Sequence, residues 1–166
     1  MSENIYKHFG IVARHGIYDE TTGLLATYGK GQAKKLGIKL KDYLGFLFDI
    51  GNTIIISSPL PRAQEYAQII ATQFGVTKID AECLGYPEGK EHYSGYVYSP
   101  EYIGSQIAPF LSYPVILLIT HQEYTDGDVP QLFVPPKKRL YHSHFPQLGK
   151  GQAHVIDRDT GKAEIF

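Results

Sequence analysis

The stretch that decides the fold is HFGIVARHG, residues 8–16. Its apolar centre, with Phe, Ile and Val, predicts a buried strand that ends in Arg14, His15 and Gly16. Open α/β sheets bind their ligands at the C-terminal ends of strands, and Gly16 lets the chain turn and a ligand approach closely. Taken alone, the pair of Arg14 and His15 also fits a surface turn. At the end of a strand, the same pair predicts a ligand site in which a fixed cation lies beside a nucleophile or base.

Two further apolar runs end in the same kind of residue. The run NTIII, residues 52–56, leads into a predicted helix start that carries Arg62, and VILLIT, residues 115–120, is followed by His121. If the three runs are parallel neighbouring strands, their terminal side chains meet at one edge of the sheet. The side chains that would meet there are Arg14, His15, Arg62 and His121. Because guanidinium groups match phosphate oxygens with paired donors, the sequence predicts a phosphate site.

The alternation of strands and helices predicts an α/β fold. We expect a three-layer sandwich with a mainly parallel central sheet and helices on both faces. By its length, the chain of 166 residues is expected to form a single domain, residues 1–166. The expected helices span residues 28–43, start at Pro61, and span residues 101–110. Residues 153–157 and 163–166 are expected to close the sheet as a hairpin.

The composition of the chain indicates which kinds of binding partner and which cellular compartment to expect. The net charge is −1, from 16 basic and 17 acidic residues, which predicts neither nucleic-acid binding nor binding to a membrane surface. No apolar run approaches the about 20 residues of a membrane span, and no signal peptide is recognised. The single cysteine, Cys83, cannot form an internal disulfide, so we expect a cytoplasmic protein. The sequence does not indicate the oligomeric state.

Four segments resemble the histidine phosphatase (phosphoglycerate mutase-like) superfamily. They are VARHG (12–16), LATYGKGQA (25–33), SSPLPRA (57–63) and LITH (118–121). The resemblance implies the phosphoglycerate mutase-like fold and a phosphomonoesterase that needs no metal or other cofactor. It also implies that His15 is the nucleophile, forming a phosphohistidine, and that Arg14, Arg62 and His121 hold the phosphoryl oxygens. In size the chain resembles the small bacterial phosphohistidine phosphatases, which implies a phosphoprotein or a small phosphorylated metabolite as substrate.

The chemistry also needs a carboxylic acid to protonate the leaving oxygen and later to activate water. Members of the superfamily often carry a glutamate after the third strand, which we expect within residues 76–84. Glu82 is therefore the first candidate and Glu88 the second. Glu123 is a third candidate, because it lies in an acidic loop after His121 where the superfamily usually has a small residue. Each of these glutamates also fits a solvated surface charge.

Two other functions remain compatible with the sequence. A pocket without a working acid would make the protein a non-catalytic phosphate-binding module. His142 and His144 suggest a metallohydrolase, although they lack a cysteine partner and helical spacing. A repeated GKGQA, residues 29–33 and 149–153, lacks the spacing of a P-loop, and its two different contexts favour coincidence.

Overall fold

The structure is a computed structural model that describes residues 7–87, 97–125, 128–139 and 145–166. Its strands are β1 (Phe9–Arg14), β2 (Thr53–Ser57), β3 (Thr77–Asp80), β4 (Val115–Thr120), β5 (Ala153–Asp157) and β6 (Ala163–Ile165). They form one sheet in the order β3-β2-β4-β1-β5-β6. The first four strands in this order are parallel, β5 pairs antiparallel with β1, and β6 pairs antiparallel with β5. The predicted mainly parallel sheet and its closing hairpin are confirmed.

Four α-helices accompany the sheet in the described residues. They are α1 (Thr27–Leu44), α2 (Pro61–Phe74), α3 (Pro100–Ile107) and α4 (Gln122–Thr125). Short 3₁₀-helices follow at Gly45–Leu47, Glu82–Leu84, Ala108–Phe110, Pro130–Phe133 and Pro136–Lys138. Proline begins both α2 and α3, at a position where its missing N–H removes no helical hydrogen bond. The helix expected over residues 101–110 corresponds to α3 together with the 3₁₀-helix Ala108–Phe110 that follows it.

The sheet carries a hydrophobic core on each face. Along β4, Val115, Leu117 and Ile119 pack with α1 and α2, whereas Ile116 and Leu118 pack with α3 and its neighbours. All six residues of β4 are buried, which explains why this central parallel strand is apolar almost throughout. The three-layer arrangement with helices on both faces is thereby confirmed.

The parallel register aligns the strand ends. Arg14 lies opposite Thr120, and Ser57 lies opposite Ile119. The chain continues this alignment past β1, because the His15 main-chain N–H donates to the Thr120 carbonyl at 3.1 Å. The C-terminal ends of β1, β2 and β4 therefore reach one edge of the sheet at the same level.

His142 and His144, on which the metallohydrolase alternative depends, lie outside the described residues. Within the described ranges, no helix is both long enough and apolar enough to cross a membrane.

Candidate active site

A cavity of about 240 Å³ opens at the edge where β1, β2 and β4 end. Its described lining consists of Arg14, His15, Tyr18, Arg62, Tyr86, His121, Gln122, Glu123 and Lys150. This set includes all four side chains that the sequence predicts at this edge of the sheet, namely Arg14, His15, Arg62 and His121. A larger groove of about 590 Å³ lies between α1 and α2, and its described lining contains no histidine or arginine.

His15 presents an unprotonated ring nitrogen to this cavity. Its side chain is 4% exposed, and Nδ1 donates to the carbonyl of Gly16 at 2.8 Å. The proton therefore sits on Nδ1, and the Nε2 lone pair accepts from Nε of Arg62 at 3.0 Å. Burial lowers the pKa of His15 to about 3, aided by the positive charges of Arg62 and Arg14 and opposed by the bond to Gly16. The ring is thus neutral at physiological pH, which is the form a nucleophile needs.

Arg62 connects the two histidines of the site. It is the second residue of α2, and the helix start directs it into the cavity with its side chain only 7% exposed. Besides its contact to His15, its Nη2 lies 3.5 Å from Nδ1 of His121, and its Cζ lies 4.5 Å from the ring centroid of Tyr18. The N-terminus of α2 adds partial positive charge at the same place. This arrangement favours an anion with several oxygens.

His121 completes the convergence. It follows β4 directly, is 1% exposed, and its ring centroid lies 5.1 Å from that of His15. Its Nε2 lies 2.8 Å from Oγ of Ser58, and Tyr86 stacks on the ring at 5.0 Å. His121 is therefore held from two sides, with Nδ1 toward Arg62. The expectation that the two imidazoles meet across the sheet edge agrees with this geometry.

The cavity also contains Lys150, which the sequence analysis does not identify as a site residue. Lys150 lies two residues after Leu148, whose carbonyl accepts a hydrogen bond from Nη1 of Arg14 at 2.9 Å. Lys150 belongs to the second GKGQA copy, and Gln32 of the first copy donates to its carbonyl at 2.7 Å. The two copies occupy different contexts, as expected, yet they contact each other beside the site. The repeat was the one sequence signal that could have pointed to Lys150.

The structure places the candidate acids in different positions relative to the cavity. Glu82 lies exposed at the start of the 3₁₀-helix after β3 and is outside the described cavity lining. That turn buries its next two residues, Cys83 and Leu84, and leaves Glu82 toward solvent. Glu123 does line the cavity, and its Oε2 accepts from the hydroxyl of Tyr86 at 3.1 Å. Of the three candidates, the structure therefore places Glu123 in the cavity and Glu82 outside it, while Glu88 lies outside the described residues.

Solved structures with the same fold include phosphatases and a mutase. The protein histidine phosphatase SixA complexed with tungstate superposes with a TM-score of 0.58 at 16% identity, covering 95% of this chain and 94% of that chain. A mycobacterial glucosyl-3-phosphoglycerate phosphatase gives a TM-score of 0.59 at 12% identity, covering 96% and 97%. Phosphoglycerate mutase from Plasmodium falciparum gives 0.52 at 21%, covering 96% and 89%. No family model and no curated protein matches the sequence.

These likenesses extend over nearly the whole chain and define its architecture. The protein has the phosphoglycerate mutase-like α/β fold, as the resemblance of its four segments implied. At these identities the comparison establishes the fold, and the chemistry has to be argued from the side chains of the cavity.

Proposed function

We propose that the protein is a phosphomonoesterase that acts through a phosphohistidine on His15. One observation carries the proposal: the Nε2 lone pair of a buried, neutral His15 points at Arg62, 3.0 Å away, in the cavity that His121 shares. A neutral imidazole is a competent nucleophile toward phosphorus, and the neighbouring cation is placed to hold an oxygen of the group under attack.

In the first step, a phosphoryl oxygen replaces His15 as the acceptor of the Arg62 Nε–H. The freed Nε2 lone pair attacks phosphorus, the P–N bond forms, and the bond from phosphorus to the ester oxygen breaks. Glu123, in its protonated form, gives its proton to the departing oxygen, so that an alcohol leaves. The carbonyl of Gly16 stabilises the positive charge that develops on the His15 ring, because it accepts the Nδ1 proton.

In the second step, water hydrolyses the phosphoenzyme. The water oxygen attacks phosphorus, the P–N bond breaks, and the Glu123 carboxylate takes a proton from the water. Inorganic phosphate leaves, and His15 regains its neutral form with the proton on Nδ1. The proton that Glu123 takes from water replaces the one that it gave to the leaving oxygen in the first step.

Charge on the transferring group is neutralised by side chains. Arg14 and Arg62 offer several N–H donors each to the three non-bridging oxygens. His121 lines the same cavity, is held through Nε2 by Oγ of Ser58, and is proposed to contact the phosphoryl group. Since these fixed cations perform the role that a metal has in other phosphoryl transferases, we propose that turnover is metal-independent.

The size of the site and the names of the structural neighbours support a proposal for the substrate class. A cavity of about 240 Å³ accommodates a phosphoryl group and a small part of its carrier. The proposed substrates are a phosphoprotein, as the name of SixA suggests, or a small phosphorylated metabolite, as the name of the mycobacterial phosphatase suggests.

The test is hydrolysis of an aryl phosphate in the presence of excess chelator. Turnover is expected to survive chelation and to disappear in His15→Ala, while His8→Ala, at the opposite end of β1, behaves as the wild type. Rapid denaturation at alkaline pH followed by mass spectrometry is expected to show one phosphoryl group on the peptide that contains His15. Because the bond is to nitrogen, the group is expected to be stable to base and to be lost in acid.

Two outcomes would contradict the proposal. Activity that is lost on chelation would indicate a metallohydrolase. Tight binding of phosphate or vanadate without any turnover would indicate the non-catalytic phosphate-binding module.

A further inference from the structure

A tight turn over residues 149–152, here called the 149–152 turn, is fastened to the site from several directions. The main-chain N–H of Gly151 donates to the carbonyls of Arg14 and His15, both at 3.1 Å. Gln32 of α1 donates to the carbonyl of Lys150 at 2.7 Å, and the Tyr66 hydroxyl of α2 donates to the carbonyl of Gly151 at 3.2 Å. Gly151 has a φ of 82°, which favours glycine. The backbone that carries Lys150 is therefore fixed relative to the cavity.

The side chain of Lys150 is available to an anion. It lines the cavity, and its Nζ lies 4.9 Å from the ring centroid of Tyr18, the same ring that Arg62 contacts. In the described part of the chain, the ion pairs with carboxylates involve other cations, and none involves Lys150. A cation positioned by an aromatic ring and not neutralised by a carboxylate attracts a negatively charged group from the substrate.

Arg62 donates directly to Nε2 of the proposed nucleophile at 3.0 Å, whereas Nζ of Lys150 lies against the ring of Tyr18 in the same cavity. The two guanidiniums of the cavity already supply more donors than three phosphoryl oxygens require. The ammonium group is therefore available to a part of the substrate other than the transferring phosphoryl group.

We propose that Lys150 selects small phosphomonoesters that carry a second anionic group, a carboxylate or a second phosphate, a few bonds from the ester oxygen. The proposal rests on the phosphomonoesterase activity proposed above and names its substrate class. The cavity of about 240 Å³ lies below the about 300–1,000 Å³ that encloses a drug-sized ligand, which agrees with a compact substrate of this kind.

The test uses phosphonates, which bind without being turned over. Calorimetry compares phosphonoacetate with ethylphosphonate, two ligands of similar size that differ in the carboxylate. The wild type is expected to bind phosphonoacetate more tightly. In Lys150→Met its affinity is expected to fall about 10- to 100-fold, as for a lost charge-assisted hydrogen bond. The affinity for ethylphosphonate is expected to fall by no more than about fivefold, as for a solvent-screened charge.

Matched variants control for charge and position. Lys150→Arg retains the cation and is expected to restore most of the preference for phosphonoacetate. Lys162→Met removes an exposed lysine in the turn between β5 and β6, at the far end of β5, and is expected to change neither affinity. Methylenediphosphonate replaces the carboxylate by a second phosphonate. The proposal is supported if either ligand with a second anionic group binds more tightly than ethylphosphonate and if that preference depends on Lys150.

Three results would overturn the proposal. The wild type could bind phosphonoacetate and ethylphosphonate with equal affinity, Lys150→Met could lose affinity equally for both ligands, or Lys150→Met could lose no affinity for either. Equal loss would assign Lys150 to the phosphoryl group itself. Because binding needs no turnover, the outcome is separate from that of the His15 experiment. A Lys150-dependent preference in a protein that forms no phosphohistidine would refute the catalytic proposal alone.

Discussion

Acidification is expected to destabilise the folded protein through His15. The pKa of this ring is about 3 in the folded protein, against an ordinary value of 6.5 that applies to the unfolded chain. Between these values the unfolded chain binds a proton that the folded protein does not, so stability falls as the pH falls. From pH 7 to pH 4.5 the difference amounts to about 2.5 kcal/mol, at about 1.4 kcal/mol per pH unit.

The measurement is urea unfolding of the wild type and of His15→Asn at both pH values, in phosphate-free buffer because a bound anion stabilises a protonated ring. Asparagine does not titrate, and its amide can still donate to the Gly16 carbonyl. All other titrating groups are common to both proteins and cancel in the difference between them. The free energy of unfolding of the wild type is expected to fall by about 2.5 kcal/mol more than that of the variant. A difference that stays the same at the two pH values would refute the argument that burial keeps His15 neutral.

Three further predictions concern the site and the fold. Arg62→Ala is expected to weaken phosphate binding and to lower kcat/KM for an aryl phosphate about 100- to 1000-fold, with thermal unfolding still cooperative; normal phosphate affinity would place Arg62 outside the site. Glu123→Gln is expected to slow an alkyl phosphate more than nitrophenyl phosphate, whose leaving group departs without a proton, while Glu82→Gln matches the wild type; the reverse would restore Glu82 as the acid. Gly31→Ala is expected to stabilise α1 by about 0.5–1 kcal/mol, because a Cβ there meets open space. Gly29→Ala is expected to destabilise the protein by about 1–3 kcal/mol, because its Cβ would strike a main-chain carbonyl; two alanine variants of equal stability in urea would contradict this.

The sheet and four of its site residues were predictable because local signals and sheet geometry agree. Residues 115–120 are apolar since β4 is buried on both faces, and a strand of that kind belongs inside a parallel sheet. Once parallel order is assumed, residues at the strand ends must share an edge. The placement of Arg14 and His121 near His15 then follows without any knowledge of side-chain contacts.

Other parts of the site depend on contacts that no local pattern records. Lys150 enters the cavity because Gln32 and the end of β1 fasten the 149–152 turn, and these partners lie far away in the chain. The position of Glu82 after a strand favours it over Glu123 in the sequence, whereas the direction of a single 3₁₀ turn decides which side chains face the cavity. Such rotations depend on which residues the core accepts, here Cys83 and Leu84.

The acceptor that fixes the His15 tautomer is a peptide carbonyl, that of Gly16. A carboxylate in this role could be lost by one codon change, but every amino acid supplies a carbonyl, so no substitution at position 16 deletes this acceptor. Mutational drift can therefore alter the reactivity of the proposed nucleophile through its charged neighbours more readily than through the position of its proton. A lineage that loses the proposed activity by losing arginines would keep a correctly protonated imidazole, and restoring those arginines would be expected to recover that activity.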